Sequence, residues 1–262
     1  MKDQVLHNAL YGTPAKDSKL RNPPLVSAVV QIIFPVILKI QTTDGIASFQ
    51  DKLRNDYPEM EKQTVIEITP GSGANKDQLV AWQFHNEAKT WTVSLNQQSI
   101  TLFTSAYDTR KDFMEKFGSV IDRFVQEFLP GRAKRIGMRY VNRIPYDTFG
   151  KVEESISDDL VGILSGGDDN VLHMLTETSF KAKEGTVTAR WGKMPAQGTM
   201  DAVLLPPIQD PSWIMDVDLF TNESTLFDTP KITSVVESLA ERHYAIFCWM
   251  TKEALRKVGT SK

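Results

Sequence analysis

The sequence predicts an α+β fold in which one order of elements, β-α-β-β-β-β-α, occurs twice. Three observations predict it: strand-like segments at 25–34 and 135–144 begin two similar series, short strand-like segments follow each, and a long amphipathic helix ends each. The matching early elements are offset by about 110 residues, from 25 to 135. We therefore expect an N-terminal extension at 1–21, a first half at 22–130 and a second half at 131–262, with two curved antiparallel sheets backed by long helices.

The first half opens with a strand at Leu25–Phe34, because the preceding Asn22-Pro-Pro favours an extended entry. Helical spacing follows at Ile46–Asn55 and is stopped by Tyr57-Pro58. Turn-forming residues then separate segments that we expect to form an antiparallel meander. Its strands are predicted at Thr64–Thr69, Gln78–His85, Thr90–Leu95 and Ile100–Ser105.

The helix that closes the first half is predicted at Arg110–Phe128. Its apolar residues recur at helical spacing, and Pro130-Gly131 ends it. The stripe consists of Phe113, Phe117, Val120, Ile121, Phe124 and Phe128. A stripe of this kind indicates a helix that buries one side against a sheet.

The second half is predicted to repeat this order, starting from a strand at Arg135–Ile144 and a short helix at Ile156–Leu164. The last helix is predicted to start with Thr229 as its cap and Pro230 at its first position, and to continue to about Val258. The strands between the two helices are predicted at Val171–Phe180, Gly185–Trp191, Met200–Leu205 and Trp213–Phe220.

Composition limits the classes of function. The 262 residues carry a net charge of -3, so the chain has no overall basic field for general nucleic-acid binding. The one cysteine excludes a disulfide within the chain. The longest apolar segment, Val26–Ile40, contains polar residues and is shorter than the roughly 20 residues of a spanning helix. Without a signal-peptide pattern at the start, we expect a cytoplasmic protein with no membrane segment.

The segment from Arg135 to Ile144 is the most informative part of the sequence. Strand periodicity places Arg135, Arg139 and Arg143 on one side, and Tyr140 and Asn142 on the other. Guanidinium groups in a row bind carboxylates or phosphates well. These five residues are therefore the candidate ligand-binding or partner-binding site.

Two interpretations of the arginines are open at the sequence level. The predicted strand Trp213–Phe220 presents Asp216 and Asp218 on its polar side, so the arginines could pair with these carboxylates inside the protein. Alternatively, the arginines could contact an anionic ligand or an acidic partner on a concave sheet surface.

Several motifs resemble those of a bacterial protein family that occurs sporadically among genomes. The matching pieces are Asn22-Pro-Pro-Leu-Val, Trp82-Gln-Phe and Arg135-Ile-Gly-Met-Arg-Tyr-Val-Asn-Arg-Ile. The resemblance implies an accessory gene, for which phage defence or a toxin–antitoxin module is the expected setting. The repeated element order is also similar to the fold of the TATA-box-binding-protein class, in which two sheets join into a saddle.

Gly166-Gly-Asp-Asp169 resembles the hairpin of polymerase and cyclase palm domains, whose paired carboxylates bind Mg²⁺. Those domains also need an acid on an earlier neighbouring strand, and the nearest one here, Asp147, follows the strand end. Alternatively, these four residues form a glycine-rich turn that ends the predicted helix at Ile156–Leu164.

We therefore predict a non-enzymatic recognition protein that binds a protein or anionic ligand, as a sensor or neutralising component. No cofactor or metal is expected. One alternative is a nucleic-acid-binding saddle with one or two tryptophans stacked on bases. A second alternative is a palm-like enzyme with Asp168 and Asp169 on Mg²⁺. Open strand edges also favour a homodimer.

Overall fold

The computed structural model describes residues 2–14, 20, 23–67, 77–146, 152–166 and 170–257. Its fold is mixed α+β, as the sequence predicts, and it includes a large antiparallel sheet. The chain divides into two compact units. The larger unit comprises Met1–Ala28, Met138–Asn222 and Glu237–Lys262, and the smaller unit comprises Val29–Gly137 and Glu223–Val236. These units are defined by contacts, whereas the two predicted halves concern repeated element order and stay a prediction.

The smaller unit has the strand order β2-β3-β4-β5-β1, with two complete α-helices and residues 229–236 of the last helix in the same unit. The cross-strand register aligns Phe84, Val93 and Leu102 on one buried side. The elements are β1 Leu25–Ile33, a 3₁₀ helix Leu38–Gln41, α2 Thr43–Leu53, β2 Glu59–Glu67, β3 Asp77–His85, β4 Trp91–Asn96, β5 Ser99–Thr104, α3 Arg110–Phe128 and the short pair β6 Arg132–Ala133 and β11 Thr225–Leu226.

Helix α3 has the predicted bounds because both of its ends are well defined. The Thr109 hydroxyl accepts a hydrogen bond from the Asp112 backbone N–H at 3.1 Å, which satisfies an otherwise free donor of the first turn. At the other end, Leu129 adopts φ 45°, and its N–H donates to the Val125 carbonyl. All six residues of the predicted stripe are buried, and Phe124 packs against Phe34 with ring centres 5.1 Å apart.

The larger unit has the strand order β7-β10-β9-β8. Its core includes Trp213, Met215 and Val217 of β10, which alternate along that strand and are buried. The elements that lie wholly or mainly in this unit are α1 Lys2–Tyr11, β7 Arg135–Pro145, α4 Val152–Ser155, α5 Asp158–Val161, a 3₁₀ helix Gly162–Gly166, β8 Thr176–Ala182, β9 Gly185–Met194, β10 Ser212–Phe220, α6 Thr229–Met250 and α7 Glu253–Lys257. Residues 135–137 of β7 and 229–236 of α6 belong to the smaller unit.

The strand predicted at Met200–Leu205 is wrong, because this segment is a turn. The Asp201 carboxylate accepts hydrogen bonds from the backbone N–H groups of Val203 and Leu204 at 3.1 and 3.2 Å, which closes the chain on itself. Leu205 is buried beside Val141 and Ile214. The apolar residues that suggested a strand therefore pack a loop. The described part of 131–262 lacks this strand, but it contains two short strands that were not predicted, β6 and β11.

The helix predicted at Ile156–Leu164 is broken into α5 and a 3₁₀ helix, and Ile156 forms an isolated bridge to Thr251. Strand β2 begins at Glu59 instead of Thr64. Strand β8 begins at Thr176 instead of Val171. These differences lie mainly at element ends, where hydrophobic periodicity alone is least specific.

The last helix also differs from the prediction at both ends. Its cap is Asp228, whose carboxylate accepts from the Lys231 backbone N–H at 3.0 Å, so Thr229 is already the first helical residue. Helix α6 ends at Met250, and α7 begins at Glu253.

Candidate functional site

The three arginines of β7 do not form a uniform exposed row. Arg143 is buried, whereas Arg139 is half-buried with 25% of its side chain exposed. Arg135 belongs to the smaller unit, and its guanidinium covers Gly137, where an added Cβ would lie 2.7 Å from Nη1. Strand β7 covers the predicted segment Arg135–Ile144 and one further residue, but its three arginines have different environments.

Arg139 forms the internal pair that the sequence left open. Its Nε and Nη2 atoms each donate to one carboxylate oxygen of Asp216 at 2.7 Å, a two-point geometry that suits a guanidinium and a carboxylate. Asp216 is buried, with 3% of its side chain exposed. The hydrogen bonds that Arg139 donates to Asp216 raise the pKa of Arg139, and burial opposes this shift. Arg139 is thus a permanent cation held by a buried anion.

This pair is part of a line of charges across four strands. Arg190 of β9 lies opposite Asp216 of β10 and opposite Glu177 of β8. Its Nη1 atom is 3.7 Å from an Asp216 oxygen, and its Nε atom contacts the Glu177 carboxylate. We call Glu177, Arg190, Asp216 and Arg139 the charge ladder. Its signs alternate, and both Glu177 and Arg190 are exposed to solvent by more than a third.

Arg143 points at backbone carbonyl groups of the protein itself. Its guanidinium donates to the backbone carbonyls of Pro206 and Leu205, and its Nε atom is buried without a partner in the described part of the chain. Burial lowers the pKa of Arg143. Because backbone carbonyls face this cation, Arg143 anchors the loop between β9 and β10 and is not displayed to a ligand.

The same loop approaches the charge ladder through Asp201. The carboxylate that closes the turn at Val203 and Leu204 also lies 3.9 Å from Nη1 of Arg139. Asp201 therefore connects the turn electrostatically to the ladder and adds a further half-exposed anion.

Tyr140 and Asn142 lie on the other side of β7. The Tyr140 ring packs on His243 of α6 with ring centres 4.8 Å apart, and Asn142 is buried. His243 is 2.8 Å from the Met138 carbonyl through Nε2, which makes Nε2 the protonated nitrogen. Burial lowers the pKa of His243 to about 4. His243 is therefore a neutral core residue, as its place on the apolar side of the predicted helix indicates.

The palm-like motif falls mostly outside the described residues. Gly166 ends a 3₁₀ helix, while 167–169, including Asp168 and Asp169, and Asp147 are not described. Among the residues that the structure does describe, no group of three or more His, Cys, Asp or Glu side chains could hold a metal ion.

All five tryptophans are buried, which removes the base-stacking role considered for one or two of them. Trp82 and Trp191 also use their indole N–H groups to bind the carbonyls of Ile40 and Leu160, at 2.7 and 3.1 Å. Such bonds are typical of tryptophan in a core.

Sequence reasoning missed Arg190, Glu177 and Arg242. Arg190 lies between the apolar residues Ala189 and Trp191 in a predicted strand, so strand periodicity could have placed it on a polar face. The residues that lie opposite Arg190 on the neighbouring strands could not be predicted. Arg242 looks like an exposed helical residue, yet it is completely buried. Its partners come from distant parts of the chain, and no local pattern predicts them.

No family model matches the sequence, and no curated protein matches it. Among the helices that the structure describes, none has the length and apolar character needed to cross a bilayer. The site is therefore interpreted from its own geometry.

Proposed function

We propose that this chain is a binding protein without a reaction of its own, and that it recognises a protein partner through the charge ladder. The single observation that carries the proposal is the alternation of signs along Glu177, Arg190, Asp216 and Arg139, on a sheet face where all of these side chains except that of Asp216 are partly exposed. A protein surface can present the opposite alternation, and electrostatic complementarity of this kind favours specificity.

The charge count supports a protein partner over a polyanion. The ladder and Asp201 together have two arginines and three carboxylates, so their net charge is 2 - 3 = -1. Polyanion binding requires unneutralised cations that displace counterions from phosphates. The nucleic-acid-binding saddle is therefore our second candidate. The palm-like enzyme has the weakest support, because the strand that should carry its third acidic residue carries arginines instead, and the nearest acid, Asp147, follows the strand end.

The duplicated fold similar to the TATA-box-binding-protein class is part of the same proposal. Two strand orders support it: the first strand of each series, β1 or β7, lies beside the last strand of that series, β5 or β10. Sheet positions repeated in this way are expected when one supersecondary unit occurs twice in a chain.

The biological setting that we propose is cytoplasmic, as a sensor or neutralising component of a phage-defence or toxin–antitoxin module. This part rests on the resemblance to a sporadically distributed bacterial family. A component of such a module acts by recognising another macromolecule, which agrees with the surface described above.

The experiment that tests the proposal compares proteins recovered with the chain from cross-linked cells of its host. We expect the parent to recover a specific protein that the Arg190→Glu variant loses, because reversal of one charge opposes the partner's complementary charge. Lys111→Glu is the matched control, since it makes the same change in charge on an exposed part of α3. Near-ultraviolet circular dichroism checks that both variants are folded.

Identical recovery by the parent and Arg190→Glu would exclude the ladder as the binding surface. Nucleic acid recovered in place of protein would favour the second candidate, and gel shifts that weaken between about 50 and about 200 mM salt would then be expected. Turnover of nucleoside triphosphates with Mg²⁺ by the purified parent would contradict the proposal that this chain catalyses no reaction.

A further inference from the structure

Within the described part of the larger unit, β8 is an edge strand of the sheet. Among the described strands, β8 pairs only with β9 and is the last strand in the order β7-β10-β9-β8. Exposed strand edges present backbone donors and acceptors to other chains, so each one needs either protection or a partner.

The pairing of β8 with β9 fixes which backbone groups face this edge. The Met174 N–H donates to the Lys193 carbonyl at 3.0 Å, and Met174 and Lys193 are in the same register as Thr176 and Trp191. Hydrogen-bonded pairs alternate along an antiparallel ladder, so the even-numbered residues of β8 point their backbone groups at β9. The backbone groups of the odd-numbered residues therefore point outward.

The side chains at these odd positions are self-complementary. Glu177, Ser179 and Lys181 are exposed, and their spacing is symmetric about Ser179. If two copies of β8 pair in antiparallel orientation about Ser179, Glu177 of each copy lies directly opposite Lys181 of the other. Directly opposite side chains have Cβ atoms about 5.5 Å apart, which lets these charges meet.

We propose that a second copy of this chain adds to the edge of β8, giving a twofold-symmetric dimer joined through Glu177–Lys181. Three outward residues in each strand give about six backbone hydrogen bonds across the symmetry axis. The two symmetric contacts between Glu177 and Lys181 set the register. A second copy fits better than an unrelated strand because the charges match under the twofold operation itself.

The boundary of the pairing segment also follows from the structure. The next outward N–H, that of Lys183, already donates to the Leu10 carbonyl at 3.0 Å at the end of α1. The second copy therefore pairs over Glu177–Lys181 and not beyond. An interface of this length is small, so we expect a concentration-dependent dimer. This inference shares Glu177 with the charge ladder, whereas Ser179 and Lys181 lie outside it, so substitutions at Ser179 and Lys181 test the dimer separately from the proposed partner.

The test uses two charge reversals and their mixture. Sedimentation velocity of the parent from about 1 to about 200 µM should show a monomer–dimer equilibrium. Lys181→Glu places glutamates opposite each other, and Glu177→Lys places lysines opposite each other, so each variant alone should be monomeric over the same range. An equimolar mixture should recover the dimer, because each contact is again between opposite charges.

A proline variant tests the backbone pairing separately. Ser179→Pro removes an outward N–H that β9 does not use, so the monomer should keep its melting temperature while the dimer is lost. Lys111→Glu should dimerise like the parent. A parent that is monomeric at every concentration, or a mixture of the two reversals that stays monomeric, would overturn the proposal.

Discussion

At the scale of single residues, Arg143 and Arg242 act as internal anchors. Arg242 of α6 is fully buried and donates to both oxygens of Glu184, to the Ala9 carbonyl and to the Gly12 carbonyl, at 2.7 to 3.0 Å. It therefore ties the end of α1 and the turn between β8 and β9 to α6. One side chain satisfies three segments that would otherwise leave buried acceptors unpaired.

Arg242→Met should lower the free energy of unfolding by about 3–5 kcal/mol, because it leaves the Glu184 carboxylate and two backbone carbonyls without their donor. Urea denaturation measures this loss. Lys111→Met on the exposed side of α3 should change the stability by less than about 0.5 kcal/mol. Equal effects of the two substitutions would contradict the role assigned to Arg242.

The Arg139–Asp216 pair should show strong energetic coupling. A double-mutant cycle with Arg139→Ala and Asp216→Ala should give about 1–3 kcal/mol, since Asp216 is buried and both of its oxygens are bonded. The exposed Arg54–Asp51 pair is the comparison, with an expected coupling below about 0.5 kcal/mol. Similar values for both pairs would mean that the ladder adds little to the fold.

The burial of His243 should make the free energy of unfolding depend on pH. Burial lowers its pKa from 6.5 to about 4, so below pH 6.5 the unfolded chain binds a proton that the folded chain refuses. The effect of His243 on the free energy of unfolding is therefore absent above about pH 6.5, and this effect lowers the free energy of unfolding by roughly 3 kcal/mol as the pH drops to 4. In NMR titrations, the His243 ring should not titrate above pH 5. A midpoint near 6.5 in the folded protein would be inconsistent with this burial.

At the scale of elements, turn and cap residues decide where segments begin. Asp228→Ala should cost about 1 kcal/mol, because the Lys231 N–H loses its acceptor at the start of α6. Thr229→Ala, at the position that the sequence suggested as the cap, should cost less than about 0.5 kcal/mol. Thermal unfolding of the two variants measures the difference, and the reverse order would restore Thr229 as the cap.

The elements that the sequence predicts best are those with local determinants. Helix α3 has its stripe, its Thr109 cap and its Pro130-Gly131 stop within one segment, and its predicted bounds are confirmed. The segment Met200–Leu205 has apolar residues but obtains its shape from the Asp201 turn and from packing on Val141 and Ile214. Such tertiary determinants override a strand-like pattern.

The candidate site was predictable only in part for the same reason. The position of Arg139 on a polar strand face and Asp216 as its candidate partner both follow from strand periodicity. The burial of Arg143 does not, because it depends on carbonyls of a loop about 60 residues further along the chain. The contacts of Arg190 with Glu177 and Asp216 depend on strand register, which a sequence leaves open.

At the scale of the whole molecule, the described residues give two compact units with sheet and helix in each, and a charged sheet face in the larger one. We assign this face to recognition of a protein and the edge of β8 to a second copy of the chain. Glu177 belongs to both surfaces, so Lys181→Glu and Ser179→Pro, which leave the ladder residues unchanged, separate the dimer from recognition of the partner.

Quantitative mass spectrometry of proteins cross-linked to the chain in host cells shows whether the charge ladder recognises a protein. We expect one or more proteins that are enriched with the parent and with Lys111→Glu, and whose enrichment falls by at least about tenfold with Arg190→Glu. Enrichment that is unchanged by Arg190→Glu, in a variant that is folded, would contradict the claim that the charge ladder is the recognition surface.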